Sequence, residues 1–482
     1  IRPGRCPGGR HTIRWDARMR RTLSFVFIAF AGMAGCTTYH PEPIAPAQLA
    51  RQFEERTLAS EALQAYVARE TGHDVTPWPP AVWNREMLTL AAFYYSPALD
   101  LARAQWSTAN AGIDVANAIP NPVLQLPFQY NTPNPGPGAP FTWGPSLDIP
   151  IETAHKRGYR VDQANHLSEA ARLNIVNAAW SVRAQVRDAM LALYAARERM
   201  AFLSAKADAE RQITVMSRHR LAVGQYSQPD VDAAVLADTQ AQSELAAARS
   251  AEQDALAQLA AAIGVPVTVL DRVTLDLSAF DTVPPAPPAT DAQRAAIFHR
   301  ADLRASLADY AAAESALQLE VAKQYPDIHL GSGYTYDTGT NKIGFGLAGI
   351  TLPIFDQNQG GIREAEAKRK EAATRTGALQ DRILGDLAHA LARYRASLEA
   401  LQLSDAHLAS ARRQLESQAA AFASGNADRL TFTQAKADYQ TSKSAHLDAV
   451  VAVQQAAGAL EDAMQQPLGH EAVSDTLSEE TP

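Results

Sequence analysis

The chain has 482 residues, 46% of them hydrophobic, and a formal net charge of −8. No basic excess points to nucleic acid as a partner. Two cysteines, Cys6 and Cys36, exclude a disulfide framework, and the 12 histidines lack metal-ligand spacing, so neither a metal nor a cofactor is expected.

The N-terminus reads as an export signal. Met19-Arg20-Arg21 precedes an apolar run from Leu23 to Phe30 and then a stretch of small residues. The run is too short to cross a bilayer as a helix. Residues 1–18 lie upstream of Met19, the favoured start, so 1–35 are upstream sequence and signal. "GMAGC" ends at Cys36 and resembles the lipobox of bacterial lipoproteins, with Met33 where Leu is usual. That resemblance implies an acylated, palmitate-bearing Cys36 at the head of a lipidated N-terminal extension, 36–87. Thr38 supplies no Asp-type signal for retention in the inner membrane. A single acyl chain anchors weakly, so stable residence needs further chains or an integral domain.

Four proline-free windows follow: 151–228, 230–265, 290–325 and 354–466. Proline is excluded from helix interiors, and these windows are rich in Ala, Leu, Gln, Arg and Glu. Ile175, Ala179, Val182, Val186, Ala189 and Leu193 recur at heptad spacing. So do Ile383, Leu387, Leu391, Tyr394, Leu398 and Leu401. This is the period of a coiled-coil seam. One helix over 153–223 would reach ~100 Å at about 1.5 Å per residue, wider than most globular domains.

The chain is a tandem duplication. Leu99 aligns with Leu303 and Pro122 with Pro326, an offset of 204; Pro150-Ile151 aligns with Pro353-Ile354, and Gly158 with Gly361, at 203; Gly224 aligns with Gly425, and Pro266 with Pro467, at 201. The predicted organisation is a first repeat over 88–281, a Pro-rich linker over 282–290, a second repeat over 291–468 and a tail over 469–482. Each repeat reads helix, strand, loop, strand, long helix, tight turn, helix.

The predicted strands are 122–130 and 141–151 in the first repeat, 326–336 and 342–354 in the second. All four alternate. Leu124, Leu126, Phe128 and Tyr130 oppose Val123, Gln125, Pro127 and Gln129; Phe141, Trp143, Leu147 and Ile149 oppose Thr142, Gly144, Ser146 and Asp148; Ile343, Phe345 and Leu347 oppose Gly344, Gly346 and Ala348. Apolar and aromatic residues on one face, with small or polar residues on the other over about ten residues, is the pattern of a membrane β-barrel wall. Thr142, Gly144, Ser146, Gly344, Gly346 and Ala348 are the expected lumen face. Four strands cannot close a barrel, and lipid tolerates no open edge. Three chains of four strands would give twelve. Gly344, Gly346 and Gly349 also spell Gly-x-Gly-x-x-Gly. A phosphate site needs a helix start directly after the glycines, whereas Ile350-Thr351-Leu352-Pro353 follows here, so a dinucleotide role is rejected.

At this point "FYYSPALDLARAQ" (93–105), "AIPNPVLQL" (118–126), "LDIPIETAHKRGYRVDQA" (147–164), "LAVGQYSQPDVDAA" (221–234) and "YPDIHLGSGY" (325–334) carry a resemblance to the bacterial outer-membrane efflux proteins of the TolC type, especially the lipoprotein branch. It covers about 80–468. It implies an α plus membrane β-barrel fold of two tandem repeats: a homotrimer with a twelve-stranded barrel in outer-membrane lipid and an α-helical periplasmic tunnel. It implies docking on a periplasmic adaptor protein and an inner-membrane RND-type transporter, and no catalysis. The family's helix-turn-helix tips match residues 221–230 and 422–431. Gly224, Gln225, Tyr226, Gly425 and Asn426 are therefore the implied docking tip. Where the family often lines its closed aperture with Asp after the second tip, this sequence has Thr431 and Gln434. Asp230, Asp232 and Asp428 complete the aperture candidates, with solvated helix starts as the competing reading of the aspartates.

The leading expectation is thus a passive exit duct of a tripartite efflux system in the outer membrane. The alternative is a lipid-anchored periplasmic coiled-coil adaptor. An exported enzyme finds no support in any catalytic motif of the sequence.

Overall fold

The computed structural model describes residues 37–132 and 139–468. The Cys36 assignment and the tail therefore lie outside the described residues. The chain divides into two units, Ile1–Gln52 and Phe53–Pro482. Residues 37–52 carry the start of helix α1 (Pro46–Glu54), and every side chain there is exposed.

In the larger unit, α2 (Glu61–Thr71), the short strand β1 (Val82–Trp83) and α3 (Arg85–Tyr95) precede α4 (Pro97–Asn117). Helix α4 starts where Ser96 accepts the Leu99 N–H and Pro97 fills a first-turn position that needs no donor. Four short strands follow: β2 (Val123–Gln125), β3 (Phe128–Tyr130), β4 (Phe141–Trp143) and β5 (Ser146–Ile151). The long helix α5 (Lys156–Ala222) turns into α6 (Gln228–Ile263), which is followed by α7 (Val267–Leu270) and β6 (Thr274–Leu275). The second half holds α8 (Ala289–Phe298), α9 (Ala301–Ala322), β7 (Ile328–Asp337), β8 (Thr340–Ile350), α10 (Gln359–Ala423) and α11 (Arg429–Met464).

The duplication is visible element by element. Helices α4 and α9 have 21 and 22 residues, α5 and α10 have 67 and 65, and α6 and α11 have 36 each. The entry to each long helix is built identically. His155 (φ 60) and Asn358 (φ 61) sit in the left-handed region immediately before α5 and α10. Their side chains fold back over Gly158 and Gly361, where an added Cβ would lie 2.0 Å from the His155 ring and 2.4 Å from Asn358 Oδ1.

Each repeat has its own core. In the first, Val186, Leu193, Leu259 and Ile263 pack with Leu63, Leu88 and Trp83. In the second, Ile383, Leu387, Tyr394 and Leu460 pack with Ala292 and Ala296. All six heptad residues of α5 are buried, as are Ile383, Leu387, Leu391 and Tyr394 of α10, with Leu398 and Leu401 half-buried. Towards the turns the packing thins to Leu203, Ala207, Ala241, Leu245 and Ala248, mostly small side chains that let α5 and α6 approach closely. The repeats are also joined by buried charge. Arg183 Nη1 donates to Glu461 at 2.9 Å, and Arg187 donates to both Asp462 oxygens at 3.1 and 2.8 Å and to the Gly458 carbonyl. Among the described residues no helix is long and apolar enough to cross a membrane.

Candidate functional site: the sheet wall and the helical tips

The sheet is a four-path antiparallel meander. β2 pairs with β5 and β3 with β4; β5 and β4 both pair with β7, and β7 pairs with β8. The first two predicted strands are each broken in two, a correction to the continuous segments expected. Pro127 removes a ladder donor from the first. In the second, Gly144 approaches the backbone of β7 so closely that a Cβ would lie 1.8 Å from the Tyr334 carbonyl. Gly144 is buried in this break. β8 also stops at Ile350, short of the expected Ile354, because Pro353 cannot continue the ladder.

Register sorts the side chains onto two faces. Leu147 opposes both Leu124 and Ser332, Ile149 opposes Leu330, and Phe345 opposes Ser332. One side thus gathers Leu124, Phe128, Tyr130, Trp143, Leu147, Leu330, Tyr334, Ile343, Phe345 and Leu347. Its aromatic members cluster at the hairpin end, where Phe128 and Tyr130 lie 5.5 and 5.4 Å from Phe141, and Trp143 lies 6.1 Å from Tyr334. The other side carries Thr142, Ser146, Gly331, Gly333, Gly344 and Gly346. It also carries a polar network that sequence reasoning missed. His329 Nδ1 lies 3.1 Å from Asp148; Thr142 donates to Asp337 at 3.0 Å, and Lys342 to the same carboxylate at 2.8 Å. The pairing of β4 and β5 with β7, distant in sequence, brings His329 to Asp148 and Thr142 to Asp337, while Lys342 reaches Asp337 across the β7–β8 hairpin. Ala348 is the extra residue of a bulge, with its Cβ set over Gly331. β7 and β8 join through Thr338-Gly339, both at positive φ (42° and 103°), the two-residue hairpin turn that matches strand twist. The ten residues of β7 make it, with β8, one of the two long strands of the sheet, about 33 Å if fully extended.

At the far ends of the long helices the two tips repeat each other bond for bond. Gln225 and Tyr226 donate to the Arg220 carbonyl at 2.8 and 3.3 Å; Asn426 and Ala427 donate to the Ala421 carbonyl at 2.8 and 3.1 Å. Gly224 (φ 73) and Gly425 (φ 79) supply the left-handed step. The following helices are capped in equivalent places. Ser227 forms a capping box in which Asp230 accepts from the Ser227 N–H and hydroxyl at 2.8 and 2.6 Å. Asp428 accepts the Thr431 N–H at 2.8 Å.

Asp230 and Asp428 of the aperture set thus accept N–H bonds at the starts of α6 and α11. The Ser227 hydroxyl and N–H hold the Asp230 carboxyl below its ordinary pKa. The Thr431 N–H and then the Arg220 guanidinium, 2.6 Å away, bring Asp428 down to about 2. Asp232 accepts from Gln228 at 2.8 Å, and Thr431 and Gln434 are exposed. Arg220, which also lies over the Tyr226 ring at 5.2 Å, was not singled out from sequence. Its signal is an asymmetry: the equivalent position of the second tip holds Ala421. Among the described residues no cluster of His, Cys, Asp and Glu could hold a metal ion.

A sheet with opposed apolar and polar faces, joined to helices of 67 and 65 residues, defines a protein with a small two-faced sheet and a long helical extension. The family model for outer membrane efflux proteins matches residues 92–265 and 293–465. The chain belongs to that family, and the family expectation from sequence holds. A relative is the cobalt-zinc-cadmium resistance protein CzcC of Cupriavidus metallidurans, 28% identical over 279 residues, 57% of this chain and 64% of that protein. The match thus spans less than two thirds of CzcC. The fold resembles the outer membrane protein VceC of Vibrio cholerae, with a TM-score of 0.65 and 19% identity over 80% of this chain and 97% of that one. It also resembles the CmeC outer membrane channel of Campylobacter jejuni, with a TM-score of 0.64 and 14% identity over 92% and 98%.

Proposed function

We propose that this protein is the outer-membrane exit duct of a tripartite efflux system. Three copies close a twelve-stranded barrel, and their long helices form the periplasmic tunnel. The sheet carries the reading: it is faced for lipid on one side and for water on the other, and both outer edges, β2/β3 and β8, are unpaired among the described residues. Such edges stay open in water but must be closed in lipid. Conduction is passive; the energy belongs to an RND-type inner-membrane transporter, reached through a periplasmic adaptor that docks near Gly224, Gln225, Tyr226, Gly425 and Asn426. Lipidation at Cys36 adds an anchor to the barrel. The adaptor alternative gives the sheet no use. The name of the relative CzcC makes divalent cations the first cargo class to test.

The test is the mass of the detergent-extracted protein and its conductance in planar bilayers. A three-chain particle that opens ion-conducting pores supports the duct. A monodisperse single chain without pores overturns it. Deletion should raise sensitivity to cobalt, zinc or cadmium if cations are the cargo.

A further inference from the structure

The duplication supplies an internal template for a joint that one chain cannot form alone. Inside the chain, the end of β5 meets the start of β7 across a polar seam. The Thr153 N–H donates to Asp327 at 3.0 Å, its hydroxyl donates to the Pro326 carbonyl at 2.7 Å, and Lys156 pairs with Asp327 at 2.7 Å. The repeat offsets place Asp356 and Gln359 on Thr153 and Lys156, and Pro122 and Val123 on Pro326 and Asp327. These equivalent segments lie at opposite edges of the sheet, after β8 and before β2. The helices tell the same story. α9 packs on α10 of its own repeat and also on α5 of the other, whereas α4 packs only on α5 in strength.

At the two outer segments Gln359 and Val123 stand where the inner seam has Lys156 and Asp327, and exposed apolar side chains flank them, beside the Glu152–Arg160 pair of the groove. Leu352, Ile354 and Phe355 are 67%, 70% and 101% exposed. On the other edge, Val115, Ile119 and Leu167 line an open groove of about 810 Å³ leading into β2. In an up-and-down sheet the edge strands of adjacent copies run antiparallel, so the end of β8 falls beside the start of the neighbour's β2.

We infer that residues 352–359 of one copy dock on residues 115–123 of the next, repeating the inner seam with its Lys–Asp pair replaced by an apolar contact centred on Phe355. This rests on the trimeric duct proposed above. The occupant of the groove is a second copy of this chain.

The experiment pairs Asp356→Cys with Val123→Cys in the full chain, beside Thr153→Cys with Asp327→Cys as an intramolecular distance control and a parent carrying only the native cysteines. Mild oxidation of the detergent-extracted protein should give two- and three-chain bands for the first pair alone, collapsed by reductant. Phe355→Asp, at a site exposed in the single chain, should keep the helical circular dichroism yet raise the monomer fraction at least tenfold. A trimer that shows no intermolecular band, or a Phe355→Asp trimer as stable as the parent, overturns this joint and leaves the duct standing. A protein that is monomeric in detergent overturns both.

Discussion

At the tips the glycines act through backbone alone. Gly224 and Gly425 have nothing within 4 Å of an added Cβ, so Gly→Ala at either costs only the left-handed conformation, about 1–2 kcal/mol. The check is thermal unfolding in detergent, and Gly→Asn should recover part of the loss. The Arg220–Asp428 pair gives a pH signature. The folded Asp428 pKa is depressed to about 2. The stability it contributes is therefore fully present above the ordinary Asp value, roughly 3.9, and is lost as pH falls through about 2. Asp428→Asn keeps a helix cap and removes the charge. Its melting-temperature deficit should be constant from pH 7 to about 5 and shrink below 4; a deficit that is already gone at pH 5 would remove the pair from this role.

Among the elements, the strands separate two kinds of glycine. Gly144→Ala drives a Cβ into the Tyr334 carbonyl, and backbone cannot yield as a side chain does. Gly346→Ala meets nothing within 4 Å. Trimer yield after extraction should collapse for the first and hold for the second. In the proposed barrel, Leu347→Arg should cost about 2–4 kcal/mol, read as lowered resistance to urea, while arginine at Gly346, on the proposed lumen side, should cost less. Much of this wall was legible in sequence, because a half-buried strand writes its two faces as period-two alternation. The breaks were less so. Alternation carries straight through Leu126-Pro127 and Gly144-Pro145; Pro127 lacks the donor that would continue the first ladder, and only the approach of β7 to Gly144 shows why the second stops. The helices were read from proline exclusion and heptads, and the duplication from offsets that the paired caps His155 and Asn358 now explain. Arg220–Asp428 and His329–Asp148 were invisible, since 208 and 181 residues separate their partners. Nor does a propensity distinguish an aspartate that lines a pore from one that starts a helix.

In the molecule as a whole, the two repeats are bound by charges taken out of water. Burial pushes the Glu461 pKa up, but Arg183, the Leu468 N–H and Arg187 outweigh it and leave the carboxyl below its usual value. Its contribution is present above the unfolded value, roughly 4.3, and lost as acid protonates it in the fold. Glu461→Ala takes the 2.9 Å carboxylate partner from Arg183 and the second carboxylate from Arg187, which keeps Asp462, and the expected loss is about 3–5 kcal/mol, seen as a lower melting temperature that glutamine only partly restores. An unchanged melting temperature would show the network to be idle. The hairpin turns, finally, are unequal. Thr338-Gly339 closes one with two residues, while ten residues, 131–140, join Tyr130 to Phe141. The two-residue turn has no spare length: a tag spliced between Thr338 and Gly339 would have to break the positive-φ pair that sets the register of β7 on β8.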